Sequence, residues 1–314
     1  MNLLNMLLKK RVGTFNAQLF VNNNFSLSEF DNDHIIRKWN VKGVCGPKPL
    51  LFQADPFLFV KNEELFLFYE LQYWGSPAYI AMTKTDDLKT WSKPVVVLKE
   101  HFHLSFPFVF EDKGEVYMIP ESQEKDSIRL YKGNENLTSF NYCRTILKQA
   151  RYDSLNFNYS DSFIYKKEDY YYLFTSFFKD WKYVLELYYS DNLETGEFKR
   201  HPKSPICIGN KYGRNGGSMI MGKDKIFRVS QDCSKEYGKS VALHEILSLN
   251  TTDYEEKLYL DDLFFDNPLF PEGGHQLNII KYRNQYVYAT DYKNNIWSWY
   301  NIYLLLKNKI SRHL

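Results

Sequence analysis

The 314-residue sequence has few chain-breaking residues, with 15 Gly and 11 Pro, which excludes collagen-like repeats and Gly/Pro-rich linkers. Its four cysteines, Cys45, Cys143, Cys207 and Cys233, form no CxxC pair. They are therefore expected as reduced thiols in a reducing compartment. No HExxH, paired Cys/His or EF-hand pattern is present, so no resident metal or cofactor is predicted. With 40 Lys+Arg against 38 Asp+Glu the formal charge is +2, too little for a chain-wide pull on nucleic acid. No apolar run is long enough to span a membrane. The N-terminal MNLLNMLLKKRV places its apolar stretch before its basic residues, the reverse of a secretory signal. The expected location is the cytoplasm. The C-terminal run IWSWYNIYLLLKNKISRHL reads first as a third strand of the last repeat with a frayed end, and second as a peripheral contact with the inner face of the membrane.

What the sequence has in quantity is aromatic residues, 25 Tyr, 24 Phe and 6 Trp, or 18%, a composition that favours strands. Five strand-like runs, ELFLFYE, EVYMIPE, YYYLFTS, KIFRVSQ and QYVYATD, end at Glu70, Glu121, Ser176, Gln231 and Asp291. Fifteen residues before each end lie Asp55, Phe106, Asp161, Gly216 and Gln276, the first three within ADPFLF, SFPFVF and SDSFIY. A third run follows in the first three units as YIAMTKT, SIRLYKG and VLELYYS. Four-stranded sheets repeated radially are the blades of a propeller. The sequence predicts an all-β, five-bladed β-propeller with four-stranded antiparallel blades. Residues 1–52 form an N-terminal segment whose strand at about 15–21, FNAQLFV, supplies the outer strand of the last blade. Residues 53–314 form the propeller, with blades starting near 53, 104, 159, 214 and 274.

In such a blade the start of the first strand and the end of the second lie at the same mouth. The repeat therefore gathers Asp55, Glu70, Glu121, Asp161, Ser176, Gln231, His275 or Gln276, and Asp291 around one opening. Burying carboxylates costs several kcal/mol, of the order that demands partners, so their convergence points to a site for a polyhydroxylated ligand. The plainer alternative is a wet channel lined with solvated polar groups. His103 and His275 are candidate hydrogen-bonding partners for a sugar or satisfied structural histidines. Asp232 either binds sugar hydroxyls or ties down the loop to Tyr237, and Trp74 is a candidate stacking platform. The DND run at Asp31–Asp33 resembles a metal-binding DxD but precedes the propeller, and is weighed as a turn. A cation held by the channel carboxylates stays open.

Asp55 in FQADPF and Asp161 in YSDSFIY resemble the acids of the five-bladed propellers in glycoside hydrolase families 43, 32 and 68. A closer likeness, over about residues 50–280, is carried by ADPFLF, HLSFPFVFEDKGEVYMIPES, LYKG, HPKSPI, GRNGGSMI, FRVSQDCSKEYG and GGHQLN. These segments resemble the N-terminal propeller of glucosamine inositolphosphorylceramide transferases and related bacterial proteins. The resemblance implies sugar transfer in cell-surface polysaccharide synthesis, with an activated sugar donor and a glycan acceptor as partners. One departure matters. Where the hydrolases carry a fourth-blade acid, this sequence reads KYGRNGGSMIM, with no carboxylate.

Two acids are needed to cleave a glycoside, so hydrolysis would make Glu121 or Glu70 the proton donor. Transfer from a phosphate-activated donor would instead use cations, and Arg214 and Arg228 lie in blade four. The expected catalytic residues are Asp55, Asp161 and Glu121. Glu70, His103, Arg214, Arg228, Gln231, Asp232, His275, Asp291 and Trp74 are the expected substrate contacts. A glycosyltransferase is the leading expectation, with a family 43-like glycosidase or a non-catalytic glycan-binding module as alternatives.

Overall fold

Strand pairing in the computed structural model follows the repeat. It describes residues 12–27, 30–38, 50–73, 75–148 and 158–296. The chain opens with β1 (Val12–Asn22) and β2 (Ile35–Lys38). Blade one is β3 (Leu50–Lys61), β4 (Glu64–Tyr73), β5 (Tyr79–Thr85) and β6 (Val95–Leu98). Blade two is β7 (Ser105–Asp112), β8 (Glu115–Glu121), β9 (Ser127–Gly133) and β10 (Phe140–Lys148). Blade three is β11 (Ser160–Lys167), β12 (Tyr170–Lys179) and β13 (Lys182–Ser190), its outer edge shared by β14 (Lys199–Arg200) and β15 (Cys207–Ile208). Blade four is β16 (Ile220–Met221), β17 (Ile226–Asp232), β18 (Ser240–Leu249) and β19 (Tyr254–Leu260). The last set begins with β20 (Leu277–Tyr282) and β21 (Gln285–Ile296).

That last blade is completed from the other end of the chain. β1 pairs antiparallel with β21 along its whole length, from Val12↔Ile296 to Asn22↔Tyr286, and β2 lies outside it. The expected ring-closing strand is therefore present, but in third place rather than outermost. The third place foreseen for the C-terminal run is thus taken, and that run beyond Ile296 lies outside the described residues. A single parallel bridge, Asn16↔Gln53, joins β1 to blade one.

The aromatic surplus packs blade against blade. Phe57, Phe108 and Phe163 occupy the same place in ADPF, SFPF and SDSF, and their rings stand 6.0 and 6.1 Å apart in succession. Phe163 stacks on Phe174 at 4.9 Å. β1 is buried on both faces: Leu19 packs with Leu58, Leu65 and Leu67 of blade one, and Phe20 with Phe227, Val229 and Tyr288. Asp31 of the DND run caps a short 3-10 turn at Asn32–His34 and contacts His34 at 2.7 Å. Among the described residues no helix is long and apolar enough to cross a membrane.

Because β1 holds the last blade to the first, truncating its core side chain should be felt by the whole molecule. Phe20 is fully buried, edge-on to Phe30 at 5.4 Å. Phe20→Ala is expected to cost about 3–5 kcal/mol. In urea it should lower the unfolding midpoint with little change in slope; a change below about 1 kcal/mol would show that the closure does not carry the fold.

Candidate active site at the propeller mouth

The inner strands of blades one to three carry the same defect. In each, two residues oppose one on the partner strand, between Ala54 and Phe57, Ser105 and Phe108, and Ser160 and Phe163. These are β-bulges, which bend a strand and re-aim a side chain. The first bulged residue is left-handed each time, with φ of 50° at Asp55, 46° at Phe106 and 48° at Asp161. For a non-glycine residue that conformation costs roughly 1–2 kcal/mol. In blade four Gly216 and Gly217 stand at this place, and a Cβ on Gly217 (φ +153°) would meet Leu277 O at 2.0 Å.

A bulge frees a backbone N–H from the ladder, and a carboxylate of the preceding blade accepts each of the three. Asp291 Oδ2 accepts from Asp55 N–H at 3.4 Å, Asp55 Oδ2 from Phe106 N–H at 3.0 Å, and Glu121 Oε2 from Asp161 N–H at 3.0 Å. Asp161 in turn accepts from Gln231 Nε2 at 3.0 Å and from Arg214, whose Nε makes a short ion pair and whose NH2 lies 3.3 Å from Oδ1. Asn215 donates to Asp161 O at 2.8 Å.

A cavity of about 280 Å³ opens above these groups, lined by Asp55, Glu70, Glu121, His103, Arg214 and His275 among others. The His275 ring stands between two carboxylates, with Nε2 3.2 Å from Asp55 Oδ1 and Nδ1 2.6 Å from Asp291 Oδ2. His103 Nε2 lies 3.3 Å from Glu70 Oε1. The Arg214 guanidinium lies over the rings of Tyr237, at 4.9 Å, and Tyr183, at 5.3 Å. Its NH1 donates to Tyr183 Oη at 3.1 Å.

Burial sets the charge states. It pushes Asp55 up to about 7, against the pull of His275 and with the added push of Glu70, Asp291 and Asp161. Glu121 is held well above the usual carboxylate range by burial and by the charge of Asp161, with Arg214 opposing. Burial alone would lower His275; the charges of Asp291 and Asp55 outweigh it and raise the imidazole to about 9. Burial and crowding thus favour the proton-bearing forms of Glu121 and Asp55, and the flanking carboxylates favour the imidazolium of His275.

Asp55, His275 and Asp291 are also the one group, among the described residues, whose donor atoms lie within 4.8 Å of one another as metal ligation requires. Both ring nitrogens of His275 lie close to carboxylate oxygens. A ligating imidazole must turn a lone pair to the metal. Buried His275 Nδ1 nevertheless makes no hydrogen bond among the described residues, so the same three side chains offer a donor set for a cation as well as for a proton.

The structure thus gathers Asp55, Glu70, Glu121, His103, Arg214 and His275 on the cavity, with Asp161, Gln231 and Asp291 directly behind them. Two expected contacts lie elsewhere. Arg228 is fully buried within blade four, its Nε and NH2 donating to Glu256 at 2.7 and 2.6 Å. Asp232 accepts from Ser234 N–H and Oγ at 2.9 and 2.6 Å, the loop-tying role. Trp74 falls outside the described residues. Sequence reasoning missed Phe15 and Tyr237, both on the cavity wall. Lys293 holds the Tyr237 loop through Glu236 at 2.7 Å and Tyr237 O at 2.9 Å. Gly238 (φ +70°) lets the loop approach Phe15 where a Cβ would come within 2.5 Å. Its place in SKEYG was the available signal.

Residues 43–262 match the family described as glucosamine inositolphosphorylceramide transferase 1, N-terminal. The chain belongs to this family. It is 34% identical over 215 residues to glucosamine inositolphosphorylceramide transferase 1 of Arabidopsis thaliana, covering 66% of this chain and 27% of that protein. The counterpart in Oryza sativa subsp. japonica is 32% identical over 215 residues, covering 67% and 28%. The chain therefore spans little more than a quarter of these family relatives. Among solved structures, a family 117 glycoside hydrolase of Zobellia galactanivorans superposes with a TM-score of 0.56 at 11% identity, covering 90% of this chain and 91% of that one. The α-L-arabinanase of Cellvibrio cellulosa gives 0.50 at 18%, covering 67% and 77%. At such identities the likeness shows the propeller fold.

The charge states can be tested through stability. Folded Asp55 keeps its proton from the ordinary 3.8 up to about 7, and folded His275 from 6.5 up to about 9. Over that whole window the folded state binds more protons than the unfolded one, so these groups make stability fall as pH rises. Melting temperatures measured from pH 5 to 9 should decline more steeply for the native chain than for Asp55→Asn/His275→Gln. Parallel slopes would show that the pair is not tuned as described.

Proposed function

We propose that the chain acts at a glycosidic bond, moving a glycosyl group from a glycoside donor to a hydroxyl. Asp55 is the base that takes the proton of the attacking hydroxyl, and Glu121 the acid that protonates the departing oxygen. Asp161, fixed by Arg214 and Gln231, holds Glu121 in place through its backbone N–H. The observation that carries this reading is that the carboxyl groups of Asp55 and Glu121 line one cavity, where burial raises both above the ordinary carboxylate range. The cavity volume of about 280 Å³ suits a single sugar ring at the reacting position.

The donor follows from the same groups. A diphosphate leaving group needs uncommitted cations, but the guanidinium on the cavity is already paired with Asp161. With Glu121 raised as a candidate general acid, the leaving group suited to this site is one that departs as an alcohol, from a sugar or another alcohol. The relatives are named as transferases, which supports a glycan or lipid hydroxyl as acceptor rather than water. A second reading, glycan binding without turnover, is favoured by one observation: the carboxylates of Asp55, Glu121 and Asp291 also serve as acceptors between blades.

Turnover separates the two readings. With aryl glycosides, Asp55→Asn should cut the rate by about 10²–10⁴-fold while sugar binding persists. Glu121→Gln should impair substrates with poor leaving groups and spare activated ones. The native rate should fall as pH drops through about 7, where Asp55 takes up its proton. Sugar binding with no turnover of any glycoside would leave the binding-module reading standing.

A further inference from the structure

One projection at the mouth lies outside the cavity. β12 and β13 run on past Ser176, and their hairpin turns at Asp180 and Trp181, with φ of 50° and 63°. Two-residue turns with both central residues left-handed favour Asn and Gly. Here a tryptophan takes that conformation while 85% exposed, so burial of its side chain does not account for its presence. The turn is braced: Asn210 donates to Trp181 O at 3.0 Å and accepts from Tyr183 N–H at 3.3 Å.

From this tip a row of rings leads inward. Trp181 meets Phe178 edge-on at 6.4 Å, and Phe178 meets Tyr183 at 4.9 Å. The Tyr183 ring lies against the Arg214 guanidinium, which lines the cavity. Phe178 is itself 44% exposed. The row thus starts at the cavity wall and ends in solvent.

We propose that Phe178 and Trp181 form an outer glycan subsite, stacking on the apolar face of sugar units linked to the one held in the cavity. This rests on the carbohydrate reading of the cavity. With room for about one ring there, a longer glycan must leave through the mouth and cross the rim. Exposed aromatic faces bind the C–H faces of sugar rings because both shed water on contact. An exposed Trp flanked by Lys179 and Lys182 also has the chemistry of a bilayer anchor. The inward end of the row, at Arg214, favours a ligand shared with the cavity.

The test titrates the full chain with arabino-, xylo-, gluco- and galacto-oligosaccharides, from the monosaccharide upward, by calorimetry. Affinity should rise with length for the native chain. Trp181→Ala and Phe178→Ala should lose roughly tenfold of that gain and keep monosaccharide affinity. Trp181→Gly should lose it too, yet melt at a higher temperature because glycine accepts the left-handed turn. A purely structural tryptophan would not pair a stability gain with a loss confined to long ligands. Equal affinities of the native chain and Trp181→Ala at every length would overturn the subsite, as would a native chain that gains nothing from length. So would a Trp181→Ala variant that loses only its binding to phosphatidylcholine–phosphatidylglycerol vesicles. Failure of the native chain to bind any member, monosaccharides included, would remove the cavity reading as well.

Discussion

Three backbone N–H groups, released from their ladders by bulges at Asp55, Phe106 and Asp161, set the terms for the rest of this molecule. A buried donor without a partner costs about 1–3 kcal/mol, so each bulge needs an acceptor that its own sheet cannot supply. The acceptor comes from the preceding blade, as Asp291, Asp55 or Glu121. The acids at the mouth are therefore fastened by the same bonds that join one blade to the next. Their positions are as fixed as the fold, and a reacting group needs that fixity.

The fastening explains the electrostatics as well. Carboxylates crowded at one largely buried opening repel each other and resist ionisation. Two basic groups relieve the strain, the His275 ring between Asp55 and Asp291, and Arg214 on Asp161. The relief is unequal. Asp161 faces a guanidinium that cannot give up its proton, whereas Asp55 shares a neighbour that titrates. A near-neutral chain can thus hold two acids raised above the ordinary carboxylate range at one opening without any excess of bulk charge.

Much of this was legible in the sequence because it repeats. The fifteen-residue interval between the bulge and the end of the second strand marked Asp55 with Glu70 and Asp161 with Ser176, and the same strand ends marked Glu121 and Asp291. Arg228 shows the limit. It precedes Gln231 by an odd number of residues, so on a strand it faces the other way, towards Glu256 on β19. The place of β1 was illegible for a related reason: Thr14, Asn16 and Gln18 alternate with apolar residues as on a half-exposed strand, yet all three are fully buried. Tyr237 reaches the cavity through contacts with Phe15 and Lys293, which no local pattern announces.

Ring closure has a consequence for the order of events during synthesis. β1 emerges from the ribosome more than two hundred and fifty residues before its long partner β21. Until then Asp55 has no His275 and no Asp291 beside it. A nascent or truncated chain that lacks the last blade can build separate sheets, as domains and motifs fold during translation, but it cannot bring Asp55, His275 and Asp291 together. The cluster at the mouth is thus completed only when β20 and β21 have been made and the circle is shut.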